Sequence, residues 1–410
     1  MESKSDIEPL IKQTTSALLK YCQQDNWSGY DPYDALNSEI FKRLPFLNSR
    51  LPRLALTQIL KRIPLNFRKL LLIPKTQNPK ALALFLMAFV KLDKMGLLAN
   101  TDIIPLMVQT LVNLRSGGSL TPVTRHPSPV ELETANRYYC WGYSFPWQGR
   151  KVLAPRSAPN LVCTVFVANA LLDAYEANGD AENLRMAISS ADYILNELYW
   201  TKGDSVAGFS YPVPSLQVQV HNANFLGAAL FCRIYKYCKE ERFLEPAMKA
   251  ARCSAAQQQA DGSWDYGELS TQRWIDNFHT GFNLCALKTI NRSLDKNEFE
   301  PNIRRGFEFY RSNFFRDDGA PKYFHDRVYP IDIHSVAQSI ITLLSFRDLD
   351  ENNVELAQRV FEWAMTNMWD ERGYFYYQVT PYYKNKIPYM RWSQAWMLLA
   401  LATQLTAKSK

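Results

Sequence analysis

His279 and His334 lie 55 residues apart, and each follows an Ile-Asp pair, Ile275-Asp276 before the first and Ile331-Asp332 before the second. An imidazole titrates near neutral pH and suits general-base work. Two carboxylates are the pair that a glycoside hydrolase needs. Asp is also a favoured helix N-cap, worth ~1 kcal/mol, so Asp276 and Asp332 have a purely structural reading as well. The chain has five histidines, His126, His221, His279, His325 and His334, and three of them begin apolar, helix-like stretches. A lone His on an apolar helix is ordinarily a satisfied core residue. Two at matched positions are site candidates, because titratable groups converging in a cleft mark function.

The same register reaches further. Asn224 lies 55 residues before His279, and Trp392, beside Arg391, lies 58 after His334. Around these positions fall Trp141, Tyr143, Trp147, Tyr211, Trp264, Tyr266, Tyr323 and Tyr376, with Lys322 nearby and Arg150 and Lys151 as further cations. Flat aromatic faces with few charges suit sugar rings, and Trp141, Tyr143, Trp147, Trp264 and Trp392 are the expected contacts. The alternative is that these rings wedge helix ends together. For proton abstraction beside a carboxylate, His279 or His334 is the base and Tyr266 or Tyr323 the acid. Asn224, Lys322 and Arg391 would hold the developing charge. No HxxxH or HxH pair occurs, so no metal is expected. Neither a Walker loop, a GxGxxG nor a GxSxG is present, so no nucleotide or other cofactor is implied.

Residues so far apart meet only if repeated elements bring them together. Five phrases pair Gly with aromatics, and from the second onward the Gly residues fall at 208, 262, 319 and 373. A period of that size signals stacked supersecondary units that share one core. Each phrase is read as a Gly turn between two helices. The helix after it is apolar all round: 161–176, 221–235, 275–290, 331–346 and 390–405. The helix before it is amphipathic, as in 181–198, 243–259, 301–314 and 354–368. An irregular sixth pair has 79–92 as its inner helix. The expected fold is all-α, an (α/α)6 toroid, with the Gly turns leading into helix N-termini around one funnel. Residues 1–120 form an irregular part packed on or completing it, and 121–410 the repeated hairpins. Only Gln217-Val218-Gln219-Val220 alternates like a strand.

Charge is uneven. The net charge is +7, yet Lys42 to Lys91 holds eleven Lys or Arg and no Asp or Glu. Basic and apolar residues mix there, as in Leu60-Lys61-Arg62-Ile63. One reading is contact with anionic lipid or polymer; the other is a solvated helix face. Nucleic acid is not expected, since the aromatics lie far from the basic stretch. The seven cysteines lack CxxC spacing and are read as reduced thiols. No secretory signal or bilayer-length apolar run (~20 residues) is seen, so the expected location is cytoplasmic, with 42–91 as a peripheral contact to the inner membrane.

The run Gln258-Gln259-Ala260-Asp261-Gly262-Ser263-Trp264-Asp265-Tyr266-Gly267, followed by Trp274 to Leu284, resembles a bacterial α/α-toroid family found among exopolysaccharide and lipopolysaccharide biosynthesis proteins. His221-Asn222-Ala223-Asn224, Pro321-Lys322-Tyr323, Pro330 to Ser335 and Arg391 to Trp396 carry the resemblance further, over most of the chain. The Asp261-Gly262-Ser263-Trp264 phrase is also similar to the repeat motif of terpene cyclases, but their DxDD motif is missing. The His and Asp residues at helix starts look more like carbohydrate-active toroids: sugar 2-epimerases, uronate C5-epimerases, polysaccharide lyases and unsaturated-glucuronyl hydrolases. The resemblance implies a polymer or lipid-linked glycan as partner and leaves three activities open. They are a uronate lyase or epimerase, a hydrolase using Asp276 and Asp332, and a non-catalytic glycan-binding subunit.

Overall fold

The computed structural model describes residues 7–116, 137–149 and 152–408. His126, Arg150, Lys151 and the expected boundary at 120/121 lie outside these residues.

Six helices line the axis: α4 (Pro79–Asp93), α6 (Leu161–Asn178), α8 (His221–Cys238), α10 (Asn277–Leu294), α12 (Ile333–Ser345) and α14 (Trp396–Lys408). Each packs on the next, and α14 returns to α4, so the ring is closed. Six outer helices clothe it: α1 (Glu8–Gln24), α5 (Ile103–Asn113), α7 (Ala181–Tyr193), α9 (Glu241–Ala255), α11 (Glu300–Asn313) and α13 (Asn352–Met368). The inner helices are buried nearly all round. The outer ones bury a single stripe, as α9 does with Phe243, Ala247, Ala250 and Ala251 while Glu241, Arg242 and Glu245 stay exposed. One continuous apolar core results. The toroid of six hairpins is therefore the fold.

The pairing within it differs from the sequence expectation. Each inner helix packs chiefly on the outer helix that follows it and only slightly, where at all, on the one before. The link between the two is short, and after α6, α8 and α10 it begins with a left-handed residue, Gly179, Lys239 or Asp295, that ends the helix. The last inner helix, α14, takes α1 as its outer cover, so the sixth pair is assembled from opposite ends of the chain.

The longer connections all run from an outer helix to the next inner one. Gly262, Gly319 and Gly373 have φ of +92°, +86° and +92°, as turn glycines should. Gly208 does not turn. It lies in the strand Val206–Phe209, paired with the strand Tyr199–Lys202, where a Cβ would meet Trp200 and Asn224. Gln217 to Val220 is not a strand either. It makes one isolated antiparallel bridge, Val220 to Gly267, with Glu268 N–H donating to Gln219 O (3.1 Å), and the Gln219 amide donates to Ala207 O (2.9 Å).

The basic stretch forms two further helices, α2 (Glu39–Lys42) and α3 (Arg50–Arg62). They lie on the side of the long connections. Arg53 donates to Gln148 (3.3 Å), Tyr383 OH to Arg62 O (3.0 Å) and Asn385 to Ile63 O (3.3 Å).

Candidate functional site

The two Ile-Asp…His phrases, nearly alike in sequence, do different things. Both aspartates are N-caps, accepting at 2.9 Å from the backbone N–H of the histidine that follows. The difference is one residue of spacing. His279 is three residues after Asp276, so its ring returns to the capping carboxylate, and Nδ1 lies 2.7 Å from Asp276 Oδ2. That oxygen also accepts from Trp274 Nε1 (3.1 Å). With Nδ1–H given to the carboxylate, Nε2 is left as the basic nitrogen. The His279 side chain remains 23% exposed, beside half-buried Tyr266, Trp274 and Tyr323.

His334 is only two residues after Asp332, and its ring cannot reach back. It points into the barrel, stacked on Phe278 (4.4 Å), tilted against Trp396 (4.5 Å) and edge-on to Trp392 (4.7 Å). Neither ring nitrogen has a hydrogen-bond partner among the described residues. Burial, then the nearby charges of Lys80, Arg391 and His279, hold it neutral by pushing its pKa well down. Asp332 meanwhile accepts from Trp392 Nε1 (2.8 Å) and Gln378 (3.3 Å), and burial pushes its carboxyl up to about 6.

The tyrosines behave alike. Tyr266 stacks on Trp274 (4.6 Å) and meets His279 edge-on (4.7 Å). Tyr323 sits edge-on to Phe278 (5.5 Å). Burial pushes both phenols well above their ordinary value, with the Asp276 charge adding to the effect. They stay protonated at neutral pH.

Several expected ligand contacts turn out to be braces. Asn224 is fully buried; its Oδ1 accepts from Phe209 N–H (2.9 Å), and its Nδ2 donates to Ser254 (2.9 Å) and Gln219. Trp141 and Trp264 are buried wedges whose indoles donate to Leu111 O (2.7 Å) and Ser254 O (3.0 Å). Arg391 is committed to a buried bidentate pair with Asp31, at 2.6 and 2.8 Å. Lys322 donates to His325 O (2.8 Å). Tyr143 and Trp147 stay half-buried. Tyr143 stacks on Phe145 (5.4 Å) and lies 3.4 Å, OH to OH, from Tyr211, which Trp147 also meets (6.5 Å).

Two cations escaped sequence reasoning. Lys61 reaches in from α3, donates to Tyr33 OH (2.6 Å) and offsets the Asp332 charge. Lys80, the second residue of α4, is 4% exposed, with Nζ over Phe166 (4.1 Å), Trp396 (5.3 Å) and Phe282 (5.6 Å). A Lys in the first turn of an inner helix that is apolar from Ala81 to Val90 was the available signal. Among the described residues no three His, Cys, Asp or Glu side chains converge as metal ligands.

A cavity of about 500 Å³ lies in the bore of the ring, running from Phe166, Phe282, Gln338 and Trp396 to Arg233 and Arg292 near the C-terminal ends of the inner helices. It shares its aromatic floor with the box around Lys80, on the opposite side from the long connections.

No protein-family model matches the chain, and a search of curated proteins finds no match. Solved structures share its architecture. An unsaturated glucuronyl hydrolase from Streptococcus agalactiae has a TM-score of 0.60 at 10% identity, over 98% of this chain and 93% of that one. Cellobiose 2-epimerase from Bacillus thermoamylovorans has 0.59 at 11%, over 98% and 99%. A polysaccharide lyase has 0.54 at 8%, over 98% and 97%. At such identities the likeness is one of fold.

Proposed function

We propose that this chain is a glycan-modifying enzyme of the uronate epimerase or lyase type, acting in polysaccharide biosynthesis on an acidic polymer or lipid-linked glycan. The carrying observation is the 2.7 Å contact of Asp276 with His279 Nδ1 on a ring that stays partly exposed. His279 Nε2 takes the proton from the carbon beside the sugar carboxylate, and the C–H electrons pass into that carboxylate. In epimerisation a proton returns to the other face. In elimination those electrons return to form a C=C bond with the adjacent ring carbon as that carbon's bond to the glycosidic oxygen breaks, and Tyr266 or Tyr323 gives its proton to the leaving oxygen. A phenol held protonated is matched to a departing sugar alkoxide. Lys61 is the cation best placed to hold charge, since Arg391 is tied to Asp31. The hydrolase reading is weaker: both carboxylates are buried, and each is engaged by backbone and indole donors.

The test is incubation with uronate oligosaccharides in D2O, following deuterium uptake by NMR and unsaturated product by ultraviolet absorbance. Asp276→Asn should keep the cap, costing under ~1 kcal/mol of stability, and lower turnover roughly 10²- to 10⁴-fold by losing the tautomer. Neither exchange nor absorbance across the panel, or an unimpaired Asp276→Asn, overturns the proposal.

A further inference from the structure

Of the 14 large hydrophobic side chains that stand exposed among the described residues, eight fall between Ile40 and Leu72. The most open are Phe46 at 74%, Leu51 at 75%, Leu65 at 62% and Leu70 at 72%. On α3 the outward positions are Leu51, Ala55, Ile59 and Arg62, at the i, i+4, i+8, i+11 spacing of one helix face, while Thr57 and Leu60 face the fold. This is an apolar stripe turned to solvent. Monomeric surfaces seldom keep such a patch uncovered without a partner.

The charges around it choose the partner. Arg43, Arg50, Arg62 and Lys69 make no ion pair with a described carboxylate, and no acidic residue occurs from 42 to 91. The nearest, Glu39, is paired with Lys42 (2.8 Å). A protein-covered patch of this size would ordinarily be bounded by both signs of charge. Interleaved Leu, Ile, Phe, Arg and Lys with no acid match a surface that is apolar inside and anionic at its face. Tyr382, 91% exposed on the loop that Tyr383 fastens to Arg62 O, adds an aromatic of the kind that settles at such boundaries. No helix among the described residues is long and apolar enough to cross a membrane, so the contact lies in the interface plane.

We infer that residues 40–72 are a docking surface for a bilayer carrying anionic lipid, with the outward face of α3 and the flanking Phe46, Leu65 and Leu70 inserted at the headgroup boundary and Arg43, Arg50, Arg62 and Lys69 against the phosphates. The inference does not depend on the sugar chemistry.

Co-sedimentation of the full chain with vesicles tests it. Binding is expected to phosphatidylcholine vesicles containing about a third phosphatidylglycerol, to fall at least tenfold on pure phosphatidylcholine, and to weaken at high salt. Replacing Arg43, Arg50, Arg62 and Lys69 together by Glu should cut the partition roughly a hundredfold or more. Leu51→Glu with Ile59→Glu and Leu70→Glu should also abolish it. Far-ultraviolet circular dichroism and Tm should stay at wild-type values, because these side chains are exposed. Three results overturn the inference: no binding to anionic vesicles, equal binding to neutral ones, or a solution dimer that the Leu51→Glu set dissociates, which would make a second copy the occupant.

Discussion

Lys80→Met is the sharpest probe of how the barrel interior is built. Burial among Phe166, Phe282 and Trp396, then repulsion from Arg391, pull the Lys80 pKa from 10.5 down to about 7. The unfolded chain keeps its proton up to about pH 10.5 and the folded chain loses it above about 7. Between these values the unfolded state binds more protons, so the Lys80 contribution makes stability rise with pH by ~1.36 kcal/mol per unit. Below pH 7 both states are protonated and the penalty is constant at about 5 kcal/mol; near pH 10.5 it vanishes. Met matches the stem without the charge. It forfeits the cation–π contacts, ~1–2 kcal/mol, so the net gain at pH 7 should be about 2–4 kcal/mol. Guanidinium titrations of both proteins from pH 6 to 10 read it directly. The gap between the two curves should be widest at pH 6–7 and close by pH 10. Subtracting the variants removes the tyrosines and cysteines that also titrate at high pH. A gap that does not change with pH, or a variant less stable at pH 7 than at pH 10 relative to wild type, would refute the account of Lys80 as a desolvated amine.

Two other perturbations probe the frame around the site. Gly262→Ala combines a φ of +92° with a Cβ 2.3 Å from Arg305 O, so it should cost roughly 3 kcal/mol or more, whereas Gly179→Ala, at φ +72° with open space, should cost only about 1; equal shifts in Tm would sink the distinction. Asp31→Asn leaves the Arg391 guanidinium buried without its carboxylate, and a loss of about 3–5 kcal/mol is expected by denaturant unfolding. Asp31→Leu combined with Arg391→Met should recover much of it, and failure to recover would show that the pair does more than balance charge.

Much of this was legible in the sequence because repetition is a one-dimensional signal. The inner helices 161–176 and 221–235 could be read from apolar residues on every side, and the 55-residue step placed His279 and His334 at equivalent helix starts. The pairing of helices was less legible. Inner-to-outer links of a few residues, capped by non-glycine Lys239 and Asp295 in the left-handed region, carry no Gly-aromatic flag, so the eye follows the longer connections instead. The outer cover of α14 comes from α1, and no periodicity joins residues so distant. At the site, equivalence in the repeat was mistaken for equivalence of role. Asn224, His279 and His334 occupy one register, yet one braces a strand, one meets a carboxylate and one is boxed in by rings. Lys80 and Lys61 lay outside the register altogether.

The two ends of the toroid pose a choice that volume and chemistry answer differently. The cavity of about 500 Å³ is roomy, but its central cation, Arg233, is satisfied by Asn169, Asp173 and Glu176 at 2.8–2.9 Å, and Tyr237 donates to Glu176 at 2.6 Å. Those charged groups are paired with one another. At the end of the long connections the costs accumulate: a desolvated Lys80, a His334 with both nitrogens unpartnered, an Asp332 carboxyl raised to about 6 and a buried Asp31–Arg391 pair. Apolar side chains of similar volume would pack these positions with less strain on stability. Such groups concentrate where function holds them against that gradient. His279, in contact with Asp276 and partly exposed, stands at the outer edge of the same cluster. This concentration of costly groups is what supports placing the proposed chemistry at the end of the long connections rather than in the larger cavity.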